Sequence, residues 1–235
     1  MDMTNQIVFL NKLLFEELKK FKGLSTNELM EKLKIEKQSK NINSVIFQKI
    51  INQSANKEKI ENLLKNCNCV MKTINLEWNN NLKESMSLNV FKFCEIVNET
   101  WEESSLRNYF ANNIFVFIVL KKDFKFSKLI DIKLWKMPAE ILDSGVKDTW
   151  IKTRDLIATG RIVNYIDKRG RKITYFPTSS ETKYIHVRPH AQNANDTIPL
   201  PIEDSVTHAK EFTKHSFWLN SNFVKKIVVE DKYYD

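Results

Sequence analysis

The sequence predicts an α+β fold around a mixed sheet. Three observations carry this. Apolar residues recur at helical spacing from Ile7 to Ile51. Strand-like segments then begin, and one of them, Asn113 to Lys121, is apolar through its middle, as a strand covered on both faces must be. Strands and helices are interleaved without a regular strand–helix–strand rhythm, so a doubly wound parallel sheet is not indicated. The expected organisation is an N-terminal helical lobe over residues 1–59 and an α+β lobe over residues 60–235, two lobes of one structural domain.

In order, Ile7, Leu10, Leu13, Leu14, Leu18 and Phe21 form one stripe of a helix over residues 3–22, and Gly23 stops it. Ser25-Thr26-Asn27-Glu28 is a capping box that opens a second helix through Leu29, Met30 and Leu33. A polar turn, Lys37 to Asn41, leads to a third helix, Ile42 to Asn52; this turn is long and lysine-rich for a helix-turn-helix. A short helical turn, Ile60 to Leu64, precedes strands at Cys67 to Leu76, Ser85 to Phe93, Asn113 to Lys121 and Leu129 to Lys136. Gly145 to Thr159 reads as a helix with Val146, Trp150, Thr153, Leu156 and Ile157 on one face, ended by Gly160. Lys172 to Phe176 and Lys183 to Val187 read as a hairpin around Thr178-Ser179-Ser180, and a helix over residues 221–229 closes the chain.

The 235 residues suffice for a real core. The longest apolar run, Ile114 to Leu120, is too short to span a bilayer. The N-terminus lacks the features of a secretory signal, and three cysteines are an odd count without disulfide spacing. A soluble, cytoplasmic protein with no membrane partner is expected. The net charge is +8, and residues 147–190 hold ten Lys plus Arg against four Asp plus Glu, six of that surplus. Five of the ten are arginines, which lysine bias alone does not explain, so a polyanionic partner is favoured.

All four histidines lie between Lys183 and Phe223. There a strand runs into Arg188-Pro189-His190. Pro189 cannot donate to a ladder, so Arg188 and His190 stand at a strand end. An Asn/Asp-rich loop follows, and the chain returns through Ser216-Phe217-Trp218-Leu219. Arginine, imidazole and amide groups suit the reading of base edges. A polar hairpin with a half-buried Trp would use the same residue types, and an Arg188–Asp196 ion pair would keep Arg188 from any DNA.

Cys67-x-Cys69 with His186 and His190 is a poor zinc set, Cys94 reads as core, and no phosphate-cradling glycine motif is present. A magnesium nuclease needs converging carboxylates, yet the first strand reads Cys69-Val70-Met71-Lys72.

The segments GLSTNELMEKL, Val70-Met71-Lys72-Thr73, LKESMSLNVF, Thr100-Trp101-Glu102-Glu103-Ser104, VKDTWIKTRDLIATGRI, HVRPHAQNAN and SFWLNSNF fall in an order that resembles the mismatch-repair endonuclease MutH and the Sau-type GATC-cutting restriction endonucleases. The resemblance implies a restriction-endonuclease-like fold that grips duplex DNA between two lobes. Where the family has metal-binding acids this chain has Leu63, Val70 and Gln48, and only Lys72 of that motif remains. Arg188-Pro189-His190 matches the family's base-reading Arg-Pro-Lys, and Trp218 its adenine-sensing Tyr. The chain is thus expected to resemble the non-catalytic C-terminal domain of a Sau-type enzyme. Such a domain binds double-stranded DNA at GATC beside an N-terminal catalytic domain of the same parent protein. It has no cofactor of its own, with Mg²⁺ expected only in that catalytic partner. The expected contact set is Arg188, His190 and Trp218 with Asn220, Lys214, Arg169, Arg171 and Lys72. Two alternatives stay open: a Mg²⁺-dependent GATC endonuclease with relocated ligands from Glu61, Glu77 or Glu84, and a structural clamp for the catalytic half.

Overall fold

The structure is a computed structural model that describes residues 3–36, 39 and 41–233. Its helices are α1 (Met3–Lys19), α2 (Thr26–Lys32), α3 (Ile42–Asn52), α4 (Lys57–Asn66), α5 (Phe93–Ile96), α6 (Ser105–Asn112), α7 (Ala139–Ile141), α8 (Lys147–Ala158) and α9 (Ser221–Val228), with a π-helical turn, Leu142–Val146, before α8. Its strands are β1 (Cys69–Leu76), β2 (Met86–Phe91), β3 (Ile114–Asp123), β4 (Phe126–Trp135), β5 (Val163–Ile166), β6 (Lys172–Thr174), β7 (Ile185–Pro189), β8 (Thr197–Pro199), β9 (Glu211–Thr213) and β10 (His215–Leu219). They form two compact units, Met1–Lys83 with Asn112–Met137 and Lys225–Asp235, and Glu84–Ala111 with Pro138–Val224.

The first unit holds a three-stranded mixed sheet, β1-β3-β4. β3 runs parallel to β1, from Cys69 opposite Ile114 to Leu76 opposite Lys121, and antiparallel to β4. Every residue from Ile114 to Leu120 is buried, which is why that segment reads as an unbroken apolar run. Ile114, Val116, Ile118 and Leu120 share one face, and they pack in one core with Leu10 and Leu14 of α1, Phe47, Ile50 and Ile51 of α3, and Ile60 and Leu63 of α4. Each such side chain contributes about 1.5–3 kcal/mol by leaving water. Phe115 and Phe117 face the other way and meet Trp135, Phe115 tilted at 5.6 Å and Phe117 stacked at 5.8 Å. The capping box forms as the sequence predicts: Glu28 N–H donates to Ser25 Oγ at 3.3 Å, and Ser25 N–H to Glu28 Oε2 at 2.7 Å. Gly23 N–H donates to Leu129 O, and Leu129 N–H to Leu24 O, tying the α1–α2 connection to β4. The turn expected over Lys37 to Asn41 falls mainly on residues outside the described ones.

The second unit holds an antiparallel sheet, β2-β10-β7, and two ribbons, β5-β6 and β8-β9. Ile185, Val187, Phe217 and Leu219 are buried, with Phe217 against Phe91 at 5.0 Å. α8 packs against β7 and buries Thr149, Trp150, Thr153 and Ile157. Gly160 ends this segment at φ +63°. A side chain there would meet Glu203 O at 2.5 Å, so only glycine fits the close approach.

Several expectations change here. The hairpin around Thr178-Ser179-Ser180 is not formed. Glu181 Oε2 accepts from Thr178 N–H at 2.8 Å and from its hydroxyl at 2.9 Å, closing a local turn. The flanking segments then separate: β6 pairs with β5, and β7 with β10. The strand expected through Phe93 stops at Phe91, and Phe93 begins α5. Burial still alternates into α5, so Phe93 takes the buried site and Cys94, expected in the core, is exposed.

Candidate nucleic-acid interface

Strand periodicity places the polar residues of β7 and β10 on one face. Ser216 lies opposite Arg188, Trp218 opposite His186, and His190 N–H donates to Lys214 O at 2.8 Å. His186, Arg188 and His190 therefore share a face with Lys214, Ser216 and Trp218, while Ile185, Val187, Phe217 and Leu219 fill the core behind. A bulge in β2, where Ser87 to Val90 oppose Trp218 to Ser216, leaves Asn89 and Val90 exposed beside this face.

Arg188 and His190 are exposed at the strand end. The Arg188 guanidinium lies over the Trp218 ring, 4.8 Å from its centroid. His190 sits 5.5 Å from the same ring, and its Nδ1 is 2.8 Å from Ser216 Oγ. Trp218 thus supports Arg188 from below, and its own Nε1 is buried with no hydrogen-bond partner among the described residues, so it presents its face and not its N–H. The Arg188–Asp196 ion pair does not form. Asp196 Oδ1 instead meets Lys214 Nζ at 2.5 Å, and Asp196 Oδ2 accepts from Gln192 N–H at 3.0 Å, holding the loop against β10. The Lys214 ammonium is the principal cause that keeps the Asp196 carboxyl below its ordinary range. Among the described residues no carboxylate pairs with Arg188.

Asn220 is placed differently from the exposed contacts. It is 4% exposed, its Oδ1 meets His186 Nδ1, and its Nδ2 donates to Thr182 O at 2.7 Å. It holds the end of the sheet, with both amide atoms engaged within the chain. His186 is also buried, and burial pushes its pKa down, with the nearby Arg188 charge acting in the same sense. Ser216, which fixes His190, went unnoticed in the sequence. Its signal was the period-two spacing Lys214, Ser216, Trp218.

Arg169 and Arg171 lie in the turn that closes β5-β6. Arg171 is held by Asp167, with Nη2 2.7 Å from Oδ2, whereas the Arg169 guanidinium has no acidic partner among the described residues. Lys72 lies on β1 of the first unit, half-buried, and burial lowers its pKa.

A divalent cation of the magnesium kind needs several oxygen ligands. At the positions where acids were sought, Leu63 is buried among apolar side chains, Val70 is an aliphatic residue of β1, and the exposed Gln48 donates from Nε2 to Glu61 Oε1 at 3.4 Å. Glu77 is 3.6 Å from Lys122. Among the described residues no three His, Cys, Asp or Glu side chains converge to hold a metal, the Cys67, Cys69, His186 and His190 set included. This donor set does not fit the ion. No helix of the described residues is long and apolar enough to cross a membrane.

A family model described as DNA mismatch repair enzyme MutH matches residues 49–144. The chain is 30% identical over 247 residues to the type II restriction enzyme Sau3AI of Staphylococcus aureus, an alignment that covers 92% of this chain and 50% of that protein. The chain therefore spans about half the length of the curated relative it matches.

Proposed function

The chain belongs to the MutH/Sau3AI-like family with its restriction-endonuclease-like fold, and on that premise we propose that it binds duplex DNA, reads GATC through the face of β7 and β10, and does not itself cut. The observation that carries this reading is the exposed Arg188 guanidinium, which lies over the Trp218 ring and among the described residues has no carboxylate partner. An arginine fork donates to guanine O6 and N7 together, a pair of acceptors that no other base presents in the major groove. Stacking fixes the plane of the fork before binding, so less side-chain entropy is lost on contact. His190, fixed by Ser216, stands beside it for a second base or a bridging water.

Catalytic silence rests on the donor set. Hydrocarbon at Leu63 and Val70 and an amide at Gln48 leave a metal-assisted phosphodiester hydrolysis without ligands. In the parent protein such a domain would serve as the effector-site half beside an N-terminal catalytic domain, and Mg²⁺ would act only there. A purely structural clamp is disfavoured by Arg188, since a clamp gives an exposed, stacked and unpaired guanidinium nothing to do.

The test is a fluorescence-anisotropy titration of the purified chain with a GATC duplex and a scrambled duplex at one salt concentration. The proposal requires tighter binding to GATC. Equal binding would favour non-specific contact, and no binding would favour the clamp.

A further inference from the structure

We infer that the β5–β6 ribbon is a second DNA-contacting element that enters the duplex beside the recognised site, with Tyr165 on one face and Ile166 on the other, and distorts it there; this rests on the DNA-binding reading above. The two residues are adjacent and 51% and 52% exposed, so about half of each is open to solvent. Tyr165 lies opposite Ile173 and Ile166 opposite Lys172, so successive side chains give the ribbon an apolar group on each face. A two-stranded ribbon is marginal in water on its own, and a surface that packs on these side chains would stabilise it.

The tip is rigid and basic. Asp167 Oδ1 accepts from the N–H groups of Arg169 and Arg171, both at 2.9 Å, and Gly170 supplies the left-handed residue at φ +75°. Lys168, Arg169, Arg171 and Lys172 follow that single acid in sequence, and it is already committed to Arg171. Cations flanking exposed apolar side chains complement a duplex, with phosphates outside and stacked bases within. Side chains of this kind, inserted between base steps, unstack and kink it.

The ribbon is also registered to the reading face. Tyr175 N–H donates to Ile162 O at 2.9 Å at its base, Pro177 O accepts from Val187 N–H at 2.9 Å, and Phe176 packs 5.1 Å from His215. A ribbon fastened to the strand that carries Arg188 meets the same partner. This favours DNA over an acidic protein surface or an anionic membrane.

The test uses a GATC duplex with 2-aminopurine placed singly along each flank, together with donor and acceptor dyes at its ends. Binding of the wild-type chain should roughly double the fluorescence at one flank position and bring the ends closer. The Tyr165→Ala and Ile166→Ala chains, with circular dichroism matching wild type, should lose both signals, and their affinity should fall by less than about tenfold. Ile166→Met, which keeps an apolar wedge, should retain them. If wild type binds GATC without unstacking at any flank, or if the alanine variants keep the signals, the wedge is overturned and the DNA-binding reading stands. If wild type binds no duplex, both fall.

Discussion

The Arg188 guanidinium rests on the Trp218 ring at 4.8 Å, and the indole N–H beneath it is buried with no partner among the described residues. The ring face matters and the N–H is a liability, because an unpaired buried donor costs free energy. Trp218→Phe should therefore keep most of the GATC affinity and leave the melting temperature unchanged or slightly raised. Trp218→Ala removes the platform and should cost about 1–2 kcal/mol of GATC binding. Calorimetric melting and parallel titrations check both. A Phe variant as weak as the Ala variant would show that the platform account is wrong.

His215 is 3% exposed, packed against Phe176 and Phe212, and burial brings its pKa down to about 4 while Nδ1–H donates to Thr213 O. The ordinary value near 6.5 belongs to the unfolded chain. Between these values the unfolded state binds the extra proton, so stability present above pH 6.5 is lost as pH falls towards 4. The loss should be of the order of 2–3 kcal/mol. Urea melts from pH 7 to pH 4 measure it. His215→Gln should be less stable at pH 7 but flatter across this window, and an unchanged slope would contradict the assignment.

Arg169 and Arg171 should not behave alike. Among the described residues the Arg169 side chain has no acid to leave, so Arg169→Ala should weaken GATC and scrambled duplexes equally and reduce the salt slope by about 1. Arg171 also holds the turn through Asp167, so Arg171→Ala should in addition lower the melting temperature. Titrations at several salt concentrations separate the two.

Incubated with a GATC-containing plasmid and Mg²⁺ or Mn²⁺, the chain should leave the DNA uncut, because Leu63, Val70 and Gln48 supply no carboxylate. Site-specific nicking that vanishes on Glu61→Gln or Glu77→Gln would restore the endonuclease with relocated ligands.

What the sequence made legible was local. Ser25 and Glu28 announced a cap that forms, and the apolar run from Ile114 to Leu120 announced a strand buried on both faces. Arg188-Pro189-His190 marked a strand end, and both side chains stand exposed there. Pairing was not legible. β5 is four residues long and its partner β6 three, too short for a periodic signal, so β6 was assigned to the wrong neighbour. Asn220 shows the same limit within the site: residue type favoured base contact, but the meeting with His186, 34 positions away in sequence, buries it. Lys214, not Arg188, takes Asp196 because the β8–β9 pairing, Thr197 opposite Thr213, sets the two side by side, a consequence of strand pairing and not of loop composition.

The central claim is that Arg188 reads a base. The most direct measurement is a pair of titrations, GATC against a scrambled duplex, for wild type and Arg188→Ala at one fixed salt concentration. Arg188→Ala should lose about 1–3 kcal/mol on GATC and much less on the scrambled duplex, so that the preference collapses. Equal loss on both duplexes would make Arg188 a phosphate contact and contradict the account.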